Sequence, residues 1–246
     1  MGLKAAPEDQ ALLLELQEFD TRLQQLEHRV RNLPENVAVT ALAGEGETLR
    51  RALAEQTGVW EDAKTELGRI ESDVAVVEAR IERDRDRLQS TSSVKDVQAL
   101  EQELAALARR RDELEEIELV VMERVEGHED ALAATRDALA SLDARTTETV
   151  AARDVALAAL EQDRAHIVAN RQTVAGKVPA DLLALYEKQR ARYGVGASHL
   201  RGGVSSASGV ALNATDLNTI RAAAPDDVLL CPDSSAVLVR TAESGL

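Results

Sequence analysis

The stretch that decides the fold opens Val94-Lys95-Asp96-Val97-Gln98-Ala99-Leu100 and runs without a proline to Val174. Leu100, Leu104, Leu107, Leu114, Ile117, Val121, Val125, Leu132, Leu139, Leu142, Val150, Leu157, Leu160 and Ile167 recur at steps of three, four, seven or eight. That spacing is a heptad seam, and it predicts one unbroken helix. A helix of about 80 residues is roughly 120 Å long at about 1.5 Å per residue. It cannot fold back on itself, so its narrow apolar stripe has to be covered by another helix.

The partner lies upstream. Leu12, Leu16, Phe19, Leu23, Leu26, Val30 and Leu33 alternate at steps of four and three. Asn32-Leu33-Pro34-Glu35 interrupts them, because proline removes a donor and restricts the residue before it. The seam resumes through Leu49, Leu53, Trp60, Leu67, Ile70, Val74, Val77, Ile81 and Leu88. Ser90-Thr91-Ser92-Ser93 then stops it, with hydroxyls able to cap a new helix and Asp96 placed as in a capping box. Residues 8–89 and 94–174 are equal arms around a short polar turn, which predicts an antiparallel helical hairpin. Facing residues would have numbers totalling about 184, which sets Gly58 beside Gly127 as a shared weak point.

Ala175-Gly176-Lys177-Val178-Pro179 punctuates the end of the long arm. A short helix from Ala180 to Arg192 follows, and then Tyr193-Gly194-Val195-Gly196 opens a region where the heptads vanish. Short strands are expected at 210–212, 227–230 and 236–240. A short helix is expected at 215–223, with Asn213 as its cap and Pro225 beyond its end. The expected fold class is therefore mainly α: a long antiparallel coiled-coil hairpin over 1–175, kinked at 33–35 with its tip near 90–94. A connecting helix over 176–193 leads to a small α+β domain over 194–246.

Composition agrees with a coiled coil. Of 246 residues, 30% are charged and only 2% aromatic, with one Phe, one Trp and two Tyr. Large enzyme cores use more aromatics. The net charge of −15 disfavours a general nucleic-acid binder or a protein that adheres to anionic membranes. The excess is confined to the hairpin, since seven cations balance seven anions from Gly176 to Leu246. With one cysteine, Cys231, no intrachain disulfide can form. With no apolar leader and no membrane-length run, a cytoplasmic location is expected. His28, His128, His166 and His199 are scattered, Gly194-Val195-Gly196 lacks the context of a phosphate loop, and no catalytic set emerges.

The tail carries a resemblance. Leu212-Asn213-Ala214-Thr215-Asp216-Leu217-Asn218-Thr219-Ile220-Arg221, continuing to Asp226-Asp227-Val228-Leu229-Leu230-Cys231-Pro232, resembles the C-terminal zinc ribbon of a bacterial family. So do Leu185-Tyr186-Glu187-Lys188-Gln189-Arg190-Ala191-Arg192, Val237-Leu238-Val239-Arg240-Thr241 and, at the tip, Ser92-Ser93-Val94-Lys95-Asp96. That family, which includes chlamydial and flagellar-regulator-like proteins, joins a coiled-coil hairpin to a ribbon that holds zinc by two Cys-x-x-Cys pairs. The resemblance sets those pairs on Ser205-Ser206-Ala207-Ser208 and Cys231-Pro232-Asp233-Ser234. Ser205, Ser208 and Ser234 thus stand where ligands are expected, and only Cys231 is a thiol. A serine hydroxyl keeps its proton at neutral pH, so the ribbon is expected to be degenerate and to hold no zinc, with His199 and Asp233 offering at best an improvised site.

Members of the family it resembles look like scaffolds that engage protein partners through the hairpin, some associated with an alternative sigma factor, with flagellar or type III secretion components and with flagellin messenger RNA. The resemblance therefore implies a non-enzymatic adaptor or scaffold for protein partners, a monomer or at most a weak dimer. Its tip would be marked by Ser92, Ser93 and Lys95. The alternative is RNA binding by the tail and the neighbouring basic cluster of Lys188, Arg190, Arg192 and Arg201.

Overall fold

The computed structural model describes residues 2–246. Among the described residues there are five α-helices: α1 (Pro7–Arg31), α2 (Pro34–Ser90), α3 (Val94–Ala175), α4 (Ala180–Tyr193) and α5 (Ala214–Ala222). Four short strands, β1 (Ala197–Arg201), β2 (Val204–Ser205), β3 (Leu229–Leu230) and β4 (Val237–Val239), precede a 3-10 turn at Ala242–Ser244. The fold is a long helical hairpin with a small C-terminal sheet. The chain forms two compact units, one of Met1–Pro34 with Ala152–Leu246 and one of Glu35–Ala151.

Prolines begin two of the helices. Pro7 and Pro34 occupy first-turn positions, where a missing N–H costs nothing. Between α2 and α3 the tip, residues 91–93, is irregular, and Ser93 caps α3 by accepting from Asp96 N at 3.4 Å.

In the Glu35–Ala151 unit, Leu42, Ala63, Ile70 and Ile81 of α2 and Leu100, Leu114, Val121, Leu132 and Leu142 of α3 are buried. Near the tip Arg80 pairs with Glu103, which is the expected register. Farther along, the side chains of Glu66 and Arg124 meet at 2.7 Å and those of Gln56 and Thr135 at 2.8 Å. Gly58 and Gly127 are both exposed, with nothing within 4 Å of a Cβ at either, so neither lies in the seam as a shared weak point. Gly46 is buried where a Cβ would come within 3.3 Å of Leu142 Cδ2, so it lets the helices close up.

In the other unit, α1, α4 and the sheet share one core. The strand order is β2-β1-β4-β3, with β1 and β4 parallel and the outer pairs antiparallel. Side chains alternate along β4. Val237 and Val239 join Leu13, Leu16, Leu182 and Tyr186, whereas Leu238 joins Leu200, Leu212, Ile220 and Cys231 on the opposite face. The N-terminal segment is tied to the tail, with Ala5 N donating to Asp226 O at 2.9 Å and Val228 N to Leu3 O at 3.1 Å. The expected strand at 210–212 is absent. Val210 is exposed after the left-handed Gly209, and Ala211 makes only an isolated bridge to Val204. Strand β1 was not expected, since Ala197-Ser198-His199-Leu200-Arg201 has no run of β-branched residues.

Candidate functional site

The two turns that the resemblance singles out have the same build. In the first, Gly209 N donates to Ser205 O at 2.8 Å and Ser205 N to Val210 O at 3.2 Å. In the second, Ser235 N donates to Cys231 O at 2.9 Å and Cys231 N to Ala236 O at 2.8 Å. The fifth residue of each is left-handed, Gly209 at φ 67° and Ser235 at φ 58°, the latter the one non-glycine residue with positive φ among the described residues. Each turn thus points its first side chain inward.

Those side chains meet. Cys231 Sγ lies 3.3 Å from Ser205 Oγ, and Ser205 Oγ lies 2.7 Å from Ser198 Oγ, which accepts from Ala207 N at 3.1 Å. Ser198, Ser205 and Cys231 are buried. Burial pushes the Cys231 thiol up, but hydrogen bonds with the Ser205 and Ser234 hydroxyls and the backbone of Ser234 and Asp233 outweigh it and leave the thiol below its ordinary value. Ser208 is half-buried and accepts from Val210 N at 3.3 Å. The donor set does not fit zinc. It offers one thiol and three un-ionised hydroxyls, and the buried hydroxyls are already spent on one another. His199 is bound to Thr241 Oγ1 at 2.7 Å, Asp233 is exposed, and no group of three or more His, Cys, Asp and Glu side chains gathers among the described residues.

Of the basic cluster, Lys188, Arg192 and Arg201 are exposed and Arg190 is half-buried. Arg190 lies 2.8 Å from Glu187 and 3.4 Å from Asp20, and Arg201 pairs with Glu243 at 2.7 Å. Arg192 stacks over Tyr193, leaving Lys188 as an exposed cation. Tyr193 is 46% exposed and does not cover the sheet, while Tyr186 is fully buried and does. At the tip, Ser92, Ser93 and Lys95 are all exposed.

A buried polar node escaped the sequence reading. Asp20 on α1 is 2% exposed and accepts both Nε and an Nη of Arg171 on α3, at 2.7 and 3.0 Å. It also accepts the Tyr186 hydroxyl of α4 at 2.6 Å. Arg171 reaches Glu187 as well, at 2.6 Å. Asp20 holds the Arg171 guanidinium well above its ordinary value, against the cost of burial. Burial and then the bond to Asp20 raise the Tyr186 phenol far above the ordinary phenol range. The Glu187 carboxyl is pushed up by burial, but Arg171 and Arg190 overcome that and lower it. A signal was present: Asp20 stands a heptad after Leu13 and four residues after Leu16, an acid in an apolar slot. Beside the node, a Cβ on Gly196 would fall 2.5 Å from the Tyr186 ring, so only glycine fits there.

Comparison with known proteins places the helical part in a family and finds relatives along nearly the whole chain. A model of the CT398-like coiled coil hairpin domain matches residues 16–194. The chain belongs to this family. The match ends before β1, so the sheet lies outside it. The protein Rv2229c of Mycobacterium tuberculosis is 34% identical over 239 residues, covering 97% of this chain and 98% of that protein. A solved structure from Mycobacterium smegmatis is similar with a TM-score of 0.88 at 34% identity, over 97% of this chain and 100% of that one. CT398 of Chlamydia trachomatis gives 0.68 at 17% identity, over 95% of this chain and 98% of that one. At that identity the likeness shows the fold alone.

Proposed function

We propose that this member of the hairpin family is a non-enzymatic cytoplasmic adaptor, which engages protein partners through the outward faces of its coiled coil. The observation that carries the reading is that the long helices hold large apolar side chains away from their own seam, among them Val76, Leu119 and Val120 at 62%, 62% and 59% exposure. A seam needs only two or three positions in seven, and apolar residues elsewhere on a charged helix are surface for another molecule. The groups with the largest pKa displacement support the same reading. Arg171 is bound to Asp20 and Glu187, and Tyr186 to Asp20, so both displacements come from contacts within the buried node. The two-fold engagement of Arg190 and the Arg201–Glu243 pair give RNA binding by the tail no support.

The test is cross-linking of the tagged full chain in its own cells, followed by mass spectrometry. Two folded variants are compared, one at the tip (Lys95→Glu) and one on α3 (Leu119→Glu with Val120→Glu). A reproducible protein set that either variant depletes is expected. Recovery of nothing beyond what an unrelated acidic coiled coil recovers overturns the proposal.

A further inference from the structure

Six large apolar side chains of α3 are exposed: Val94, Ile117, Leu119, Val120, Met122 and Val155. Four of them fall within Glu115-Glu116-Ile117-Glu118-Leu119-Val120-Val121-Met122-Glu123. The seam here is already supplied by Leu114 and Val121, which are 4% and 1% exposed. At about 100° per residue, Leu119 and Val120 flank the ridge farthest from that seam, and Glu116 and Glu123 lie along it. These four positions, spaced i, i+3, i+4 and i+7, are the set that forms a hole for a knob in helix packing. The hole has apolar sides, Leu119 and Val120, and a carboxylate at each axial end. Ile117 and Met122, one turn down each flank, widen its apolar margin, and methionine adapts to varied knobs.

The charge around the hole says what fills it. Among the described residues Glu116, Glu118 and Glu123 have no ion-pair partner. The adjacent arginines are already committed, Arg124 to Glu66 at 2.7 Å and Arg111 to Glu115 at 3.1 Å. A second copy docked by this same face would bring the same carboxylates against these, and an anionic membrane would be repelled.

We propose that this face of α3 is a docking hole for a basic amphipathic helix of a partner protein. The helix presents a Leu or Ile knob between Leu119 and Val120, with a Lys or Arg one turn to either side against Glu116 and Glu123. The proposal rests on the adaptor reading and gives that adaptor's partner a chemical signature.

The probe is a labelled alanine-based helical peptide carrying Lys, Leu and Lys at successive four-residue steps, titrated by anisotropy against the full chain at low salt. Leu119→Glu with Val120→Glu is expected to weaken binding at least tenfold. So is Ser in place of the peptide's Leu. Glu116→Lys with Glu123→Lys should lose the Lys peptide and gain a Glu-flanked counterpart. Glu55→Lys with Glu61→Lys, equal in charge but on α2, should leave both unchanged. Binding that follows net charge alone, or no binding up to about 1 mM peptide, overturns the inference. A wild-type dimer in sedimentation that the Leu119 and Val120 changes abolish also overturns it, by assigning the face to a second copy. If the peptide fails while cellular cross-linking to partners persists in the Leu119 and Val120 variant, this inference falls and the adaptor reading stands.

Discussion

Asp20 is the residue on which one compact unit turns, because a carboxylate that is 2% exposed must be paid for by its partners. Arg171 supplies a two-pronged ion pair and Tyr186 a hydroxyl donor. Asp20→Ala would leave the guanidinium and the phenol unmatched in the interior, and we expect a loss of about 3–5 kcal/mol in denaturant unfolding. Changing an exposed acid such as Glu18 should move stability by less than about 0.5 kcal/mol. Glu187 carries the pH dependence. Its folded pKa lies below the ordinary 4.5, so its contribution is complete above that value and is lost as pH falls through the folded pKa. Melting temperatures measured from pH 7 to pH 3 should fall, and Glu187→Gln should fall less. Asp20 was legible only as an acid in an apolar slot, since its partners stand 151 and 166 residues away. Sequence spacing carries no information about such distant encounters.

At the scale of elements, all three long helices were legible, with ends close to those observed, because heptads and proline punctuation are local signals. Pairing was not. Gly58 and Gly127, expected to face each other in the seam, are both exposed helix positions. A Cβ would meet nothing within 4 Å at either position. Gly58→Ala and Gly127→Ala should each stabilise by up to about 1 kcal/mol, and the double variant should be additive, as measured by urea unfolding. In the tail, the matched turns at Ser205 and Cys231 suggest a metal-ready frame without metal chemistry. Ser205→Cys, Ser208→Cys and Ser234→Cys together should take up about one zinc per chain by elemental analysis, while the native chain takes up none. Zinc at about one per native chain would refute the degenerate site.

For the whole molecule, no helix among the described residues is long and apolar enough to cross a membrane. The division into two compact units predicts two calorimetric transitions rather than one. Asp20→Ala should lower only one of them, and the glycine substitutions should raise only the other. By itself, the sequence determined the helices, the tip, the break at Pro34 and the place where heptads give way to a small mixed domain. All of these follow from periodicity and turn chemistry acting over a few residues. Only the tertiary structure decided the register within the hairpin, the existence of β1, the shared core of α1, α4 and β4, and the closure around Asp20. Register is degenerate by whole heptads, β1 is a strand because β4 supplies its hydrogen bonds, and a buried ion pair exists only once its partners have been brought together.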